Sequence, residues 1–158
     1  MQVATEEPVE ANQRTLNVLV VDDDPFIRAT ITMALKGTKY LVRPAASAEE
    51  AVSIIETWRP DILMTDAMMP GPSGFVLIET IKSHPSCSEI PVILVTCLEN
   101  ADGTVRDATG KADLALSKPF TASQIRESVQ SAANMITQRE FLARFDNEFD
   151  GAEEIGTP

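Results

Sequence analysis

Residues 18–25 read VLVVDDDP: four apolar residues run straight into three consecutive aspartates. Like charges side by side repel, and burying any of them is costly without a cationic partner. Asp24 has a plain role, as the cap of a helix whose first position is Pro25, where the missing N–H is no loss. Asp22 and Asp23 have no such role. The apolar run suits a buried strand, so these two carboxylates stand at a strand's end.

Further along the chain the same alternation repeats. Apolar runs at Leu16–Val21, Tyr40–Arg43, Ile62–Thr65, Val92–Thr96 and Leu114–Leu116 read as strands. Between and after them, Pro25–Lys36, Ala48–Thr57, Gly74–Lys82, Glu99–Thr109 and Ala122–Ile136 read as helices. Ser47 with Glu50, and Thr121 with Gln124, fit the capping box, and Gly37 suits a helix stop. Near-continuous apolar strands such as VILV imply burial on both faces. Five strand–helix alternations predict an α/β fold with a five-stranded parallel sheet, doubly wound, and a C-terminal helical extension.

Composition narrows the function. With 44% hydrophobic residues the 158-residue chain can pack one domain, expected over residues 15–136. A tail over residues 1–14 and a helical, acidic extension over 137–158 flank it. The net charge of −11 disfavours both nucleic acid and an anionic membrane surface. Two cysteines, Cys87 and Cys97, form neither a ligand cluster nor a disulfide framework, and the N-terminus lacks an apolar signal segment. A soluble, cytoplasmic protein is expected.

Ligands of such sheets bind outside the carboxyl ends of the strands. Asp22 and Asp23 follow the first strand, Asp66 the third, Thr96 closes the fourth, and Lys118 with Pro119 follows the fifth. Each has an ordinary reading alone: a cap, a strand residue, a solvated lysine. Together they form three carboxylates, a hydroxyl and an ammonium at one edge. Oxygen donors of this kind suit Mg²⁺, held by Asp23 and Asp66 with Asp22 assisting. The cation would offset the aspartate repulsion and keep Asp66 ionised as a nucleophile. Lys118 and Thr96 are donors of the right type for a phosphoryl group on Asp66.

The segments VLVVDDDPFIR, DILMTDAMMPGPSGFVLIETIK, PVILVT and LSKPF resemble, in order and spacing, the signatures of response regulator receiver domains of two-component signalling. The resemblance covers residues 16–136 and implies the flavodoxin-like receiver fold. It implies Asp66 as phosphoacceptor, Asp23 as a direct Mg²⁺ ligand with Asp22 beside it, and a backbone carbonyl from Met68 on the metal. It further implies Thr96 as switch hydroxyl, Lys118 as phosphoryl-binding lysine, a cis Lys118–Pro119 bond, and a histidine kinase or histidine phosphotransfer protein as donor. Such a chain is a switch that assists its own phosphotransfer and dephosphorylation rather than an enzyme.

Three departures stand out. Ala115 occupies the position where receivers place an aromatic switch residue, Cys97 replaces a common alanine, and ENADGTVRDATG is a poor helix with few apolar anchors. His84, in SHPS, reads as a solvated loop residue. Haloacid-dehalogenase phosphatases are the nearest enzymatic alternative, but Phe26 stands where their first motif needs Thr or Val. They also need a further acidic pair on a strand after the lysine, and helical sequence follows Lys118. A DNA-binding response regulator is the second alternative, disfavoured by the short acidic sequence after Ile136.

The C-terminal segment holds three of the six phenylalanines. Thr137 with Glu140 fits a capping box and Ile136 with Phe141 a hydrophobic staple, predicting a new helix near Gln138. That short helix would fold back over the domain, or dock on a downstream target or a second copy, leaving the acidic DGAEEIGTP end mobile. Were the preceding helix to run on instead, Phe141, Leu142, Phe145 and Phe149 would lie opposite its core face.

Overall fold

The computed structural model describes residues 14–100, 102 and 104–155, with side chains up to residue 148. The loose tail expected over residues 1–14 thus lies, but for Arg14, outside the described residues. In chain order the elements are β1 (Leu16–Val21), α1 (Pro25–Ala34), β2 (Tyr40–Ala45), α2 (Ala48–Thr57), β3 (Ile62–Thr65), α3 (Gly74–Ser83), β4 (Val92–Thr96), β5 (Leu114–Ser117) and α4 (Ala122–Ile155). All five strands pair in parallel in the order β2-β1-β3-β4-β5.

Alternate residues of each central strand feed opposite cores, because successive side chains point to opposite faces. Leu19, Val21, Leu63, Val92 and Leu94 pack with α2 and α3. Val18, Val20, Ile62, Met64 and Ile93 pack with α1 and α4. This is why the strands read as unbroken apolar runs, and it makes the doubly wound expectation correct. Asp24 caps α1 by accepting from the Phe26 amide, with Pro25 at the first helical position. Ser47 accepts from the Glu50 amide, and Thr121 and Gln124 exchange reciprocal bonds.

Two expected features are absent. The described residues of 99–109, all but 101 and 103, form no helix. Glu99 and Val105 make an isolated antiparallel bridge, and Asp102 and Asp107 take the backbone amides of Thr104, Thr109 and Ala112. Short acidic side chains that capture local amides compete with helical hydrogen bonds, and too few apolar anchors oppose them.

The second correction is at residue 138, where no new helix starts. α4 continues unbroken from Ala122 through Ile155. The Thr137 hydroxyl bonds back to the Ala133 carbonyl, and Glu140 pairs with Arg14 at 3.0 Å instead of closing a capping box. Phe141 is exposed, so the staple is not made. The segment therefore continues α4 instead of folding back as a separate short helix, and residues 156–158 of the acidic end lie outside the described ones.

At the amino-terminal end of the sheet an ion-pair cluster fixes α4. Asp113 accepts from Lys82 Nζ at 2.8 Å and from the Val92 amide, and Arg139 lies 3.6 Å from its other oxygen. Arg139 also donates to the Glu89 carbonyl. Asp113→Ala would strip the largely buried Lys82 ammonium of its counter-ion, leaving it only the Ile90 and Ser88 carbonyls, and would leave the Val92 amide unsatisfied. We expect a loss of about 2 kcal/mol of stability in urea melts.

Candidate functional site

The carboxyl ends of β1, β3, β4 and β5 converge because these strands are adjacent and parallel. Asp22 and Asp23 follow β1, and Asp66 follows β3 with its amide held by the Val21 carbonyl at 2.9 Å. One carboxylate oxygen from each of the three aspartates falls within 4.8 Å of the others. Asp22 and Asp66 are buried and Asp23 is exposed. Lys118 Nζ reaches in from the end of β5, 2.8 Å from Asp22 and 3.3 Å from Asp66. The Lys118–Pro119 peptide is cis, as expected.

Electrostatics follow from this packing. Burial pushes the Asp66 carboxyl above its ordinary value, and the charge of Asp22 adds to it, while Lys118 opposes both. Burial works against the Lys118 ammonium, but the hydrogen bond and charge of Asp22, with those of Asp66, outweigh it and hold the amine above its ordinary value. Among the described residues Lys118 is the one cation ion-paired with this cluster, through Asp22 and Asp66. Arg28 instead bonds the backbone carbonyl of Asp22, at 2.7 Å. The ammonium leaves the three carboxylates with a local surplus of negative charge. That surplus, in an all-oxygen donor set, fits a hard divalent cation such as Mg²⁺.

The remaining expected residues are placed less uniformly. Thr96 is buried at the end of β4, with its hydroxyl accepting from the Leu98 amide at 3.3 Å and no hydrogen bond to Asp66. Its carbonyl accepts from the Lys118 amide at 3.0 Å, tying β4 to the lysine. The Met68 side chain is exposed, two residues beyond Asp66. Ala115 on β5 is exposed, as is Cys97, while Cys87 is buried. His84 lies exposed at the end of α3, where its ring hydrogen-bonds Ser86 and has no part in the site.

One residue essential to the site's shape was not legible as such. Gly74 opens α3, and a Cβ there would stand 1.7 Å from the Asp66 carbonyl oxygen and 2.7 Å from its carbonyl carbon. Its amide bonds the Ala67 carbonyl at 2.8 Å. The first turn of α3 thus lies directly on the Asp66 backbone, and only glycine permits it. In the sequence the single hint is a glycine immediately after the cap residue Ser73, a position where a side chain is usually harmless.

Comparison with known proteins agrees with this geometry. Residues 18–130 match the model of the response regulator receiver domain. The chain is 32% identical over 137 residues to the probable transcriptional regulator ycf27 of Cyanidium caldarium, covering 86% of this chain and 54% of that protein. It is 31% identical over 108 residues to the phosphate regulon transcriptional regulatory protein PhoB of Pseudomonas aeruginosa, covering 68% and 47%. The chain therefore spans about half the length of these relatives. Among solved structures, the signal receiver domain of a signal transduction histidine kinase from Syntrophus aciditrophicus superposes with a TM-score of 0.69. That match is at 28% identity and covers 75% of this chain and 90% of the other.

Proposed function

This chain belongs to the response regulator receiver family of two-component signalling, and from that membership we propose that it accepts a phosphoryl group on Asp66 and thereby changes its contacts with other proteins. The observation that carries the proposal is the Asp66 carboxylate, buried at the sheet edge between the Lys118 ammonium and the acidic pair. The donor is the phosphohistidine of a histidine kinase or phosphotransfer protein. An Asp66 oxygen attacks phosphorus in line, the P–O bond forms as the P–N bond breaks, and the proton needed by the leaving imidazole comes from solvent. Lys118, already within 3.3 Å of Asp66, pairs with the incoming phosphoryl oxygens. The Thr96 hydroxyl is free to leave the Leu98 amide and donate to one of them.

Asp22, Asp23, Asp66 and the Met68 carbonyl are the residues that would hold Mg²⁺. When bound, the cation neutralises charge on the transferring group. Among the described residues, no helix is long and apolar enough to cross a membrane. The test is incubation with a small phosphodonor such as acetyl phosphate. Acid-labile phosphate should appear with Mg²⁺ and be suppressed by EDTA; metal-independent labelling would refute the role of the acidic cluster.

The phosphoryl group should be long-lived. Met68 and Leu98, two residues beyond Asp66 and Thr96, flank the approach of a hydrolytic water, and neither can orient one as an amide or carboxylate would. We expect M68N/L98E to shorten the phosphoprotein half-life severalfold in a chase after donor removal. An unchanged or longer half-life would count against this assignment.

A second reading, a receiver that governs DNA binding, is favoured by the names of ycf27 and PhoB. The net charge of −11 speaks for protein contacts instead. A gel shift with this chain, phosphorylated and not, separates the two, since tight sequence-specific binding would establish the second.

A further inference from the structure

Asp22 is held at every polar atom. Its amide bonds the Ala45 carbonyl at 3.1 Å, one carboxylate oxygen accepts from the Asp24 amide at 2.9 Å, and the other pairs with Lys118 at 2.8 Å. The remaining group, its backbone carbonyl, belongs to a residue only 2% exposed, so it needs a partner within the protein. β2 does not supply one. Its register with β1 ends at Val21 and Ala45, and the next amide, of Ala46, turns to Glu50 at 2.9 Å. Arg28 takes the place of the missing strand amide, its guanidinium donating to the carbonyl at 2.7 Å.

The helix itself does not account for a cation here. Arg28 is the fourth residue of α1, near the end where the helix dipole favours anions. Among the described residues it has no ion pair and no other side-chain hydrogen bond. Side chains on a helix lean toward its amino terminus, which carries Arg28 back over the turn between β1 and α1. The one bond it makes is the reason for its place.

The consequence falls on the next residue. Asp23 is exposed, and among the described residues its carboxylate has no hydrogen bond or ion pair. It nonetheless points an oxygen to within 4.8 Å of those of Asp22 and Asp66. That aim depends on the peptide joining it to Asp22, whose carbonyl is the atom Arg28 holds. We propose that Arg28 is a positioning residue for the divalent-cation site: its bond fixes the Asp22–Asp23 peptide and so directs the Asp23 carboxylate at the cation. The inference rests on reading the acidic cluster as a Mg²⁺ site. Groups that orient a ligand without touching the metal are worth about tenfold or more in metal affinity. Charge alone predicts the opposite sign. A guanidinium bonded to Asp22 repels a divalent cation, so removing its charge would tighten binding, whereas losing its hydrogen bond loosens it.

The experiment is a calorimetric titration of Mg²⁺ into the full chain, without phosphodonor and at constant ionic strength. R28M keeps the length of the side chain and loses its donors and charge. It should bind Mg²⁺ about tenfold more weakly than the wild type, and R28K, which keeps a donor, within about threefold of it. Circular dichroism verifies the fold of each variant. Binding by a folded R28M equal to that of the wild type would overturn the proposal and make Arg28 a support of the fold alone. Tighter binding would also overturn it, leaving only the effect of charge. Should R28M not fold, the wild type decides. The guanidinium signals of Arg28 in ¹⁵N-edited spectra should then shift with added Mg²⁺ at the half-saturation shown by the Asp23 amide, and signals unmoved at saturation would overturn the proposal. A wild type that takes up no Mg²⁺ would refute the metal reading of the acidic cluster, and the role of Arg28 with it.

Discussion

Asp66→Asn should reduce phosphate incorporation from any donor to background while leaving the domain folded. The amide has the shape of the carboxylate and can still accept from Lys118, but it cannot form the acyl phosphate. Stability provides an independent readout. The folded state pushes the Asp66 carboxyl up, so its ionised form opposes folding at neutral pH. Removing that charge should leave the variant no less stable than the wild type in urea melts, even though an ion pair with Lys118 is lost. A variant that labels at the wild-type level would place the phosphoacceptor elsewhere. One that unfolds would make Asp66 a structural residue.

Gly74→Ala carries the largest expected structural effect. The added methyl would stand 1.7 Å from the Asp66 carbonyl oxygen, well inside any tolerated contact, and the atoms it meets are backbone. Neither side can yield cheaply: Asp66 is hydrogen-bonded to β1, its carbonyl also accepts from the Thr65 hydroxyl, and Gly74 is bonded to Ala67. We expect a loss of about 3 kcal/mol. Because any relaxation must displace the Asp66 backbone, labelling at Asp66 should slow even where the variant remains folded. A melting midpoint equal to that of the wild type would contradict the packing of α3 on this loop.

The strands and the acidic site were legible because each rests on a local signal. Strands buried on both faces must be apolar throughout, and aspartates directly after such strands have few structural uses. The Asp24 cap and the Thr121–Gln124 box were equally direct. What was not legible depended on competition between alternatives. Residues 99–109 alternate polar and small side chains in a way compatible with a weak helix, and only the capture of amides by Asp102 and Asp107 decides against it. At Thr137 and Glu140 the capping pattern is present, but Arg14 claims the glutamate and the Ala133 carbonyl the hydroxyl. With Arg139 tied to the body on the preceding turn, the helix continues. The role of Gly74 arises from where α3 lands on the Asp66 backbone, which no local pattern encodes.

Ala115 remains the main difference from the receiver pattern and is exposed on β5; under the proposed function, Thr96 and Lys118 would be the groups that respond to a phosphoryl group on Asp66. The Thr96 carbonyl and the Lys118 amide are bonded to one another, so movement of either strand end is shared.

The most direct test is chemical location of the modified residue. Protein phosphorylated with acetyl phosphate and Mg²⁺ is reduced with borohydride, which converts an aspartyl phosphate to homoserine, and its peptides are sequenced by mass spectrometry. Homoserine at position 66, absent when EDTA is present, is the predicted result. Homoserine at Asp22 or Asp23, or none at all from protein that carries phosphate, would contradict the assignment of Asp66 as the phosphoacceptor.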